Sequence, residues 1–227
     1  MDACDSAKRT ARHVNATAMP RRDFLKRCAA VSAFTIVPGQ VLGASGQIAP
    51  SEQTTLACIG TGGQGLQNTQ TFLDFPEIRV VAVCDANRES NDYMSWYWSD
   101  GKEKKPAGRE PARRAVEEFY ARQRPSGTYM GCRAYTDYRE LLAKEDVDAV
   151  MVATPDHTHA VITMAALKAG KHVYCEKPLT YSVYEARQVA EAARRAGVAT
   201  QLGNQGQASP EARVTCELIA MLSSVGI

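Results

Sequence analysis

Five short apolar runs mark the chain: Thr55–Ile59, Ile78–Cys84, Val147–Ala153, His172–Cys175 and Val198–Leu202. Each is nearly continuous rather than alternating, as expected of strands buried on both faces of a parallel sheet. Stretches of helical period lie between them. Residues His159–Lys168 carry apolar positions at helical spacing and stop at Gly170. Ser182–Ala196 stops at Gly197, and Ser182 with Glu185 forms the S-x-x-E pattern of a capping box at its start. Ser209–Leu222, with Pro210 at its opening, reads as a final helix. Strands alternating with helices that end on glycine predict a doubly wound parallel α/β sheet, a Rossmann-type fold. Between the second and third runs, about residues 89–134 read as an insertion. Within it 111–123 look helical, opening on Pro111 and continuing Ala115, Val116, Phe119 and Tyr120. Its aromatic cluster Trp96, Tyr97 and Trp98 and its charged stretch Lys102–Lys105 either pack a long loop, the commoner case, or form a contact surface for a partner subunit.

Composition narrows the class. The 227 residues are 44% hydrophobic and 23% charged, which excludes disordered, collagenous and coiled-coil chains. There is no run of apolar residues long enough for an ordinary membrane span. The net charge of +2 is unevenly placed: residues 1–46 hold seven Lys/Arg against three Asp/Glu, so the body is slightly acidic. Nothing in that balance suggests a nucleic-acid surface.

The basic surplus belongs to a segment with its own logic. Pro20-Arg21-Arg22-Asp23-Phe24-Leu25-Lys26 pairs two arginines with a bulky apolar pair and a lysine. A ten-residue apolar stretch, Cys28–Val37, follows, and small residues Gly43 to Gly46 could accept a signal peptidase. The segment resembles a twin-arginine (Tat) export signal, with Pro20 where such signals usually carry Ser or Thr. The competing reading is a basic amphipathic helix of the folded protein. Met1 and Met19 both stand as candidate starts. The expected organisation is a Tat-type signal over 1–46, a linker over 47–54, a nucleotide-binding domain over 55–206 and the opening of a further domain over 207–227. A periplasmic or secreted location follows from the export signal. Export of a protein already folded suits one that closes around a cofactor before leaving the cytoplasm.

Chemistry enters at the first glycine cluster. Gly60-Thr61-Gly62-Gly63-Gln64-Gly65 contains G-x-G-x-x-G directly after a strand, and Asp85 ends the next strand twenty residues after Gly65. Together these form the dinucleotide fingerprint. Gly60 permits the tight turn, Gly62 lets backbone approach a diphosphate, and Gly65 lets helix pack on strand. The helix start offers unpaired N–H groups to the phosphates. Asp85 can accept from both ribose hydroxyls and would repel a 2′-phosphate, so NAD is expected over NADP, with Arg88 nearby weakening the preference.

Two further constellations stand at carboxyl ends of strands, where ligands bind in open α/β sheets. Ala153-Thr154-Pro155-Asp156-His157-Thr158-His159 shapes a loop under the cofactor, with Thr154 and Pro155 as contacts, His159 as a wall of the site and His157 unassigned. Cys175-Glu176-Lys177-Pro178-Leu179 places Lys177 where its ammonium could stabilise charge developing on a substrate oxygen. Glu176 beside it could bind cofactor ribose or orient the lysine, and Pro178 is a candidate cis proline. The bland alternative is a surface Glu-Lys pair opening a turn. Seven cysteines show no C-x-x-C and no zinc spacing. Cys58, Cys84 and Cys175 sit in strands as apolar filler, and neither a disulfide nor a metal site is expected.

In this order, the glycine fingerprint, the acid-ended second strand, TPDHTH and EKP resemble the Gfo/Idh/MocA family of oxidoreductases over about residues 54–227. Gln201-Leu202-Gly203-Asn204-Gln205 is similar to Tat-signalled members. The resemblance implies a bound nicotinamide cofactor and sugar or polyol substrates. It implies that Lys177 is the site lysine, Glu176 a cofactor contact, and Asn204 and Gln205 part of the passage from cofactor to active site. Family members continue into a mostly antiparallel domain that binds substrate. The chain reads as stopping where that domain begins, so homo-oligomer contacts through it would also lie beyond Ile227. Three functions stay open: an NAD-dependent sugar or polyol oxidoreductase, a glycoside hydrolase or lyase that oxidises its sugar transiently while NAD stays bound, and a non-catalytic nucleotide-binding module.

Overall fold

A computed structural model describes residues 48–93 and 106–224. The signal-type segment 1–46, the aromatic run Trp96–Trp98 and the stretch Lys102–Lys105 lie outside the described residues. Six parallel strands form one sheet. In chain order they are β1 (Thr54–Ile59), β2 (Ile78–Cys84), β3 (Arg133–Tyr135), β4 (Ala149–Val152), β5 (His172–Glu176) and β6 (Thr200–Gly203). Their order across the sheet is β3-β2-β1-β4-β5-β6. The chain therefore winds outward one way from β1 and, after crossing to β4, outward the other way. That reversal leaves a crevice at the carboxyl ends of β1 and β4, the place where doubly wound sheets hold ligands.

Helices α1 (Gly63–Leu73) and α2 (Arg109–Arg122) cover one face. Helices α3 (Tyr138–Lys144), α4 (His159–Lys168) and α5 (Val183–Ala196) cover the other. Strand alternation divides the core accordingly. Leu56, Cys58, Val80, Val83 and Met151 pack with Leu66, Leu73, Ala112 and Val116 beneath α1 and α2. Ala57, Ile59, Val150, Val152, Val173 and Cys175 pack with Leu141, Ile162, Leu167 and Val189 on the opposite side. Val80 and Val83 share a face although three residues apart, because the β1–β2 register slips by one residue between Leu56 and Ala57.

The expected strands and long helices are present, with edges moved by one or two residues. The capping box of α5 is formed: the Ser182 side chain accepts from the Glu185 N–H, and the Glu185 carboxylate accepts from the Ser182 N–H. Gly197 closes the helix in the left-handed conformation, φ 65°. The insertion expected over 89–134 is corrected. Much of it is ordinary sheet architecture, since α2 leads into β3, with α3 directly beyond. Three residues, Arg-Ala-Tyr, are too few to show an apolar run, and seven-residue α3 is too short to show a period. Its one local signal is Asp137, whose side chain accepts from the Arg139 N–H as an N-cap. The last helix, α6 (Pro210–Ser224), opens on Pro210 as expected and exposes Val214, Leu218, Ile219, Met221 and Leu222. No described helix is long and apolar enough to cross a membrane.

His159 is also corrected. Expected to wall the cofactor site, it is 1% exposed at the start of α4 and lines neither cavity described below. Its Nδ1 lies 2.5 Å from the Pro178 carbonyl oxygen and its Nε2 2.8 Å from the Thr154 carbonyl oxygen. A carbonyl only accepts, so satisfying both requires both ring nitrogens to carry protons. Burial works against that cation, but the bonds to Cys175, Pro178 and Thr154 outweigh it and push the imidazole up to about 9 from 6.5. His159 thus clamps the loop after β4 to the loop after β5, where the Lys177–Pro178 peptide is cis.

A pH dependence follows. Because the folded value lies above the unfolded one, the clamp contributes fully below pH 6.5 and its contribution is lost as pH rises through 9. Denaturant titrations across that window should show the wild type losing stability with rising pH. His159→Gln should start lower and run flatter. Parallel slopes for the two proteins would show that the imidazolium is not the clamp.

Candidate functional site

The glycine bend is built by close approach. Gly60 has φ +83°, and a Cβ there would sit 2.6 Å from the backbone of Ala153 and Thr154. A Cβ on Gly65 would lie 1.8 Å from the Gly60 carbonyl oxygen. Helix α1 can start this near β1 only because both side chains are absent. Backbone bonds then pin the bend on three sides. Gly60 N donates to Cys84 O, Gly108 N donates to Thr61 O, and Thr61 N donates to Asp85 Oδ2 at 2.8 Å. Helix α1 has Gly62 as its N-cap and no capping side chain, so the N–H groups of its first turn remain free of side-chain partners.

One groove opens over this bend, with a volume of about 620 Å³. Gly60 and Gly62 form its floor, Asp85 and Asn87 one wall, and Thr154 and Pro155 the other. Size, backbone donors and a carboxylate at the end of β2 fit the adenosine and diphosphate half of a dinucleotide. Thr61 and Gly65 are buried behind the bend and hold its shape. Sequence reasoning missed Asn87, Tyr93, Thr136, Tyr138 and Arg139, which also line this groove. The last three follow from β3 and α3, elements that left little trace in the apolar pattern.

A second cavity, about 520 Å³, lies on the other side of α1's first turns. Gln64, Asn68, Phe72, Tyr174, Glu176 and Lys177 line it. Glu176 is 4% exposed and organises the wall. Its Oε1 accepts from Asn68 Nδ2 at 2.7 Å, Gln205 Nε2 at 2.7 Å and the Tyr174 hydroxyl at 3.2 Å. Gln64 Nε2 donates in turn to Asn68 Oδ1 at 2.8 Å. A buried carboxylate this well supplied with donors is held in one orientation. Lys177, the next residue, is exposed at the carboxyl end of β5, and among the described residues its ammonium has no ion-pair partner.

The predicted residues therefore separate. Gly60, Gly62, Asp85, Thr154 and Pro155 meet at the first groove, and Gln64, Glu176 and Lys177 at the second cavity. Asn204 lines neither: it is exposed, and its carbonyl oxygen accepts from Gln207 N in a turn. Its neighbour Gln205 is the member of that stretch that reaches the site, since residues one apart in a turn point in different directions. Among the described residues, no group of three or more His, Cys, Asp or Glu side chains could hold a metal ion.

Known proteins place this geometry. Residues 105–204 match the model of the Gfo/Idh/MocA family, described as an oxidoreductase family with an NAD-binding Rossmann fold. An alpha-N-acetylgalactosaminidase from Shewanella oneidensis is 29% identical over 192 aligned positions, which cover 77% of this chain and 37% of the relative. A glycosyl hydrolase family 109 protein from Shewanella sp. strain ANA-3 matches with the same identity and coverage. The chain thus spans well under half the length of these curated relatives. Among solved structures, GenD2 from gentamicin A biosynthesis, in complex with NAD, is 27% identical. Its TM-score is 0.53, over 74% of this chain and 39% of that one. A scyllo-inositol dehydrogenase from Lactobacillus casei with NAD(H) and scyllo-inositol bound has a TM-score of 0.54 over 74% of this chain and 41% of its own. At 17% identity that likeness shows the fold alone. The parallel sheet with its flanking helices is a Rossmann-type α/β fold, and residues 105–204 of it are similar to the NAD-binding domain of the Gfo/Idh/MocA oxidoreductases.

Proposed function

We propose that the protein binds NAD and serves hydride exchange between its nicotinamide and a sugar or polyol. The observation that carries this reading is the glycine-built bend at Gly60–Gly65 facing Asp85 across one groove. When bound, NAD supplies the redox chemistry. The chain's own residues bind and orient. The first turn of α1 receives the diphosphate, Asp85 receives the adenosine ribose and disfavours a 2′-phosphate, and Thr154 and Pro155 support the cofactor from the β4 side. Lys177 directs a proton donor at the substrate oxygen, where it stabilises charge that develops as the carbon is oxidised or reduced. Glu176, fixed by Asn68, Tyr174 and Gln205, sets the direction from which Lys177 leaves β5.

A second reading rests on the curated relatives, of which one is named an alpha-N-acetylgalactosaminidase and others glycosyl hydrolase family 109 proteins. In this reading the sugar is oxidised only transiently by NAD held in this domain, and the glycosidic bond is cleaved without net change in NAD. Accumulation of NADH with free sugars or polyols supports the first reading. Release of the aglycone from an N-acetylgalactosaminide without accumulation of NADH supports the second.

Residues 1–46 we propose as a Tat export signal, which would deliver the folded, cofactor-loaded protein to the periplasm or beyond. A fluorescent reporter fused behind them should be exported, and the double change Arg21→Lys and Arg22→Lys should retain it in the cytoplasm. Export indifferent to both arginines would remove the assignment.

Two substitutions separate cofactor binding from chemistry. Calorimetry should show wild type favouring NAD over NADP, with Asp85→Ser narrowing that preference about tenfold or more, the scale of one lost charge-assisted contact. An unchanged ratio would show that Asp85 does not read the ribose. In a version extended through the substrate domain, Lys177→Ala should lower kcat about a hundredfold while leaving the NAD dissociation constant within about twofold. Loss of cofactor affinity alone would show that the lysine has been misplaced.

A further inference from the structure

The groove over the glycine bend contains a side chain that the dinucleotide fingerprint does not account for. Tyr93 lies with its ring directly on Gly62: a Cβ built there would meet Tyr93 Cε1 at 2.6 Å and Cδ1 at 2.7 Å. The space that the missing side chain opens, and that a diphosphate needs, is filled by this ring. The Tyr93 hydroxyl donates to Asp85 Oδ1 at 2.7 Å and accepts from Asn87 Nδ2 at 2.9 Å. Burial and the bond to Asp85 push the phenol up to about 12, so near neutral pH it is a protonated donor.

Asp85 then already holds three donors. Its Oδ2 accepts from Thr61 N, and its Oδ1 accepts from Asn87 N at 2.9 Å and from Tyr93. A ribose bringing its hydroxyls to this carboxylate finds a hydroxyl already there. The segment carrying the phenol has a fixed base. Ser90 and Ala107 exchange backbone bonds at 2.9 and 3.0 Å, and Asp92 N donates to Ser90 Oγ. Tyr93 stands three residues beyond Ser90, close enough to leave the groove by rotation of its own side chain and the peptides just before it.

We infer that Tyr93 competes with the cofactor's adenosine half, its hydroxyl standing in for a ribose hydroxyl on Asp85 and its ring for the diphosphate on Gly62. The inference rests on the proposal that this groove takes NAD. Binding exchanges a phenol–carboxylate bond for a ribose–carboxylate bond, so the net gain at Asp85 is small and Tyr93 sets the affinity. It also sets specificity. A ligand carrying both a ribose diol and a diphosphate replaces both contacts of the tyrosine, whereas a simple riboside or a free phosphate replaces one and leaves the other broken.

The test uses the 227-residue chain, with Tyr93→Phe removing the hydroxyl and Tyr93→Ala removing the ring as well. Calorimetry with NAD should give binding about tenfold tighter for Tyr93→Phe and at least as tight again for Tyr93→Ala. Melting provides a second readout. Without nucleotide both variants should melt below wild type, because the phenol bond stabilises the free protein. With saturating NAD that difference should close, because the bond is absent from the complex. A merely structural tyrosine would lower the melting temperature equally with and without NAD and leave the affinity unchanged. If wild type binds NAD and neither variant binds more tightly, the inference fails and the proposed function stands. If no form binds NAD, the proposed function fails and takes this inference with it.

Discussion

A single carboxylate joins the two things this domain must do at once. Asp85 ends β2, and its Oδ2 accepts the Thr61 N–H from the bend that ends β1. That bond orients the peptide in the middle of the glycine run, and so orients the first turn of α1. The same carboxylate lines the groove over the bend, where we propose that it receives a ribose. One side chain therefore serves both shape and recognition, adding its bond to those that Cys84 O and Gly108 N make with the bend. The glycines make this possible by subtraction. With Gly60 O against the place where a Gly65 Cβ would be, there is no other way for strand and helix to meet at this angle.

The first turns of α1 stand between two cavities of different character. Toward β2 and β3 the groove is floored by backbone and closed by Asp85 and Tyr93. Toward β5 and β6 the wall is a network of side chains centred on Glu176, with Lys177 at its rim. An extended ligand reaching from one to the other would meet fixed backbone donors at one end and an orientable ammonium at the other. The buried ring of His159 ties the β4 and β5 loops together and lines neither cavity. A buried ring bonded on both sides to backbone carbonyls serves here as a structural rivet.

Much of this was legible along the chain. The apolar runs of β1, β2, β4 and β5, the capping box at Ser182, the glycine stops and the bend followed by Asp85 are local patterns, each contained within about twenty-five residues. Burial on both faces forces continuous apolar strands, and a tight bend forces glycine, so these features leave marks that need no knowledge of distant neighbours. Strand β3 and helix α3 left almost none, being too short for any period to accumulate.

The remainder depended on which residues meet across long separations. Asn68 and Glu176 are 108 positions apart and share a hydrogen bond. Nothing local distinguishes Gln205 from Asn204, yet the turn after β6 aims one at Glu176 and leaves the other in solvent. Histidine beside a predicted site is ambiguous until its two ring nitrogens are seen to face carbonyls. Tyr93 shows the same limit, because a tyrosine eight residues past Asp85 becomes part of the groove only through the path of the chain between them. Residue type and spacing set what could form each strand, bend and cap; the packing of strands from opposite halves of the sheet chose which side chains would share a cavity, since side-chain direction is set by neighbours in space.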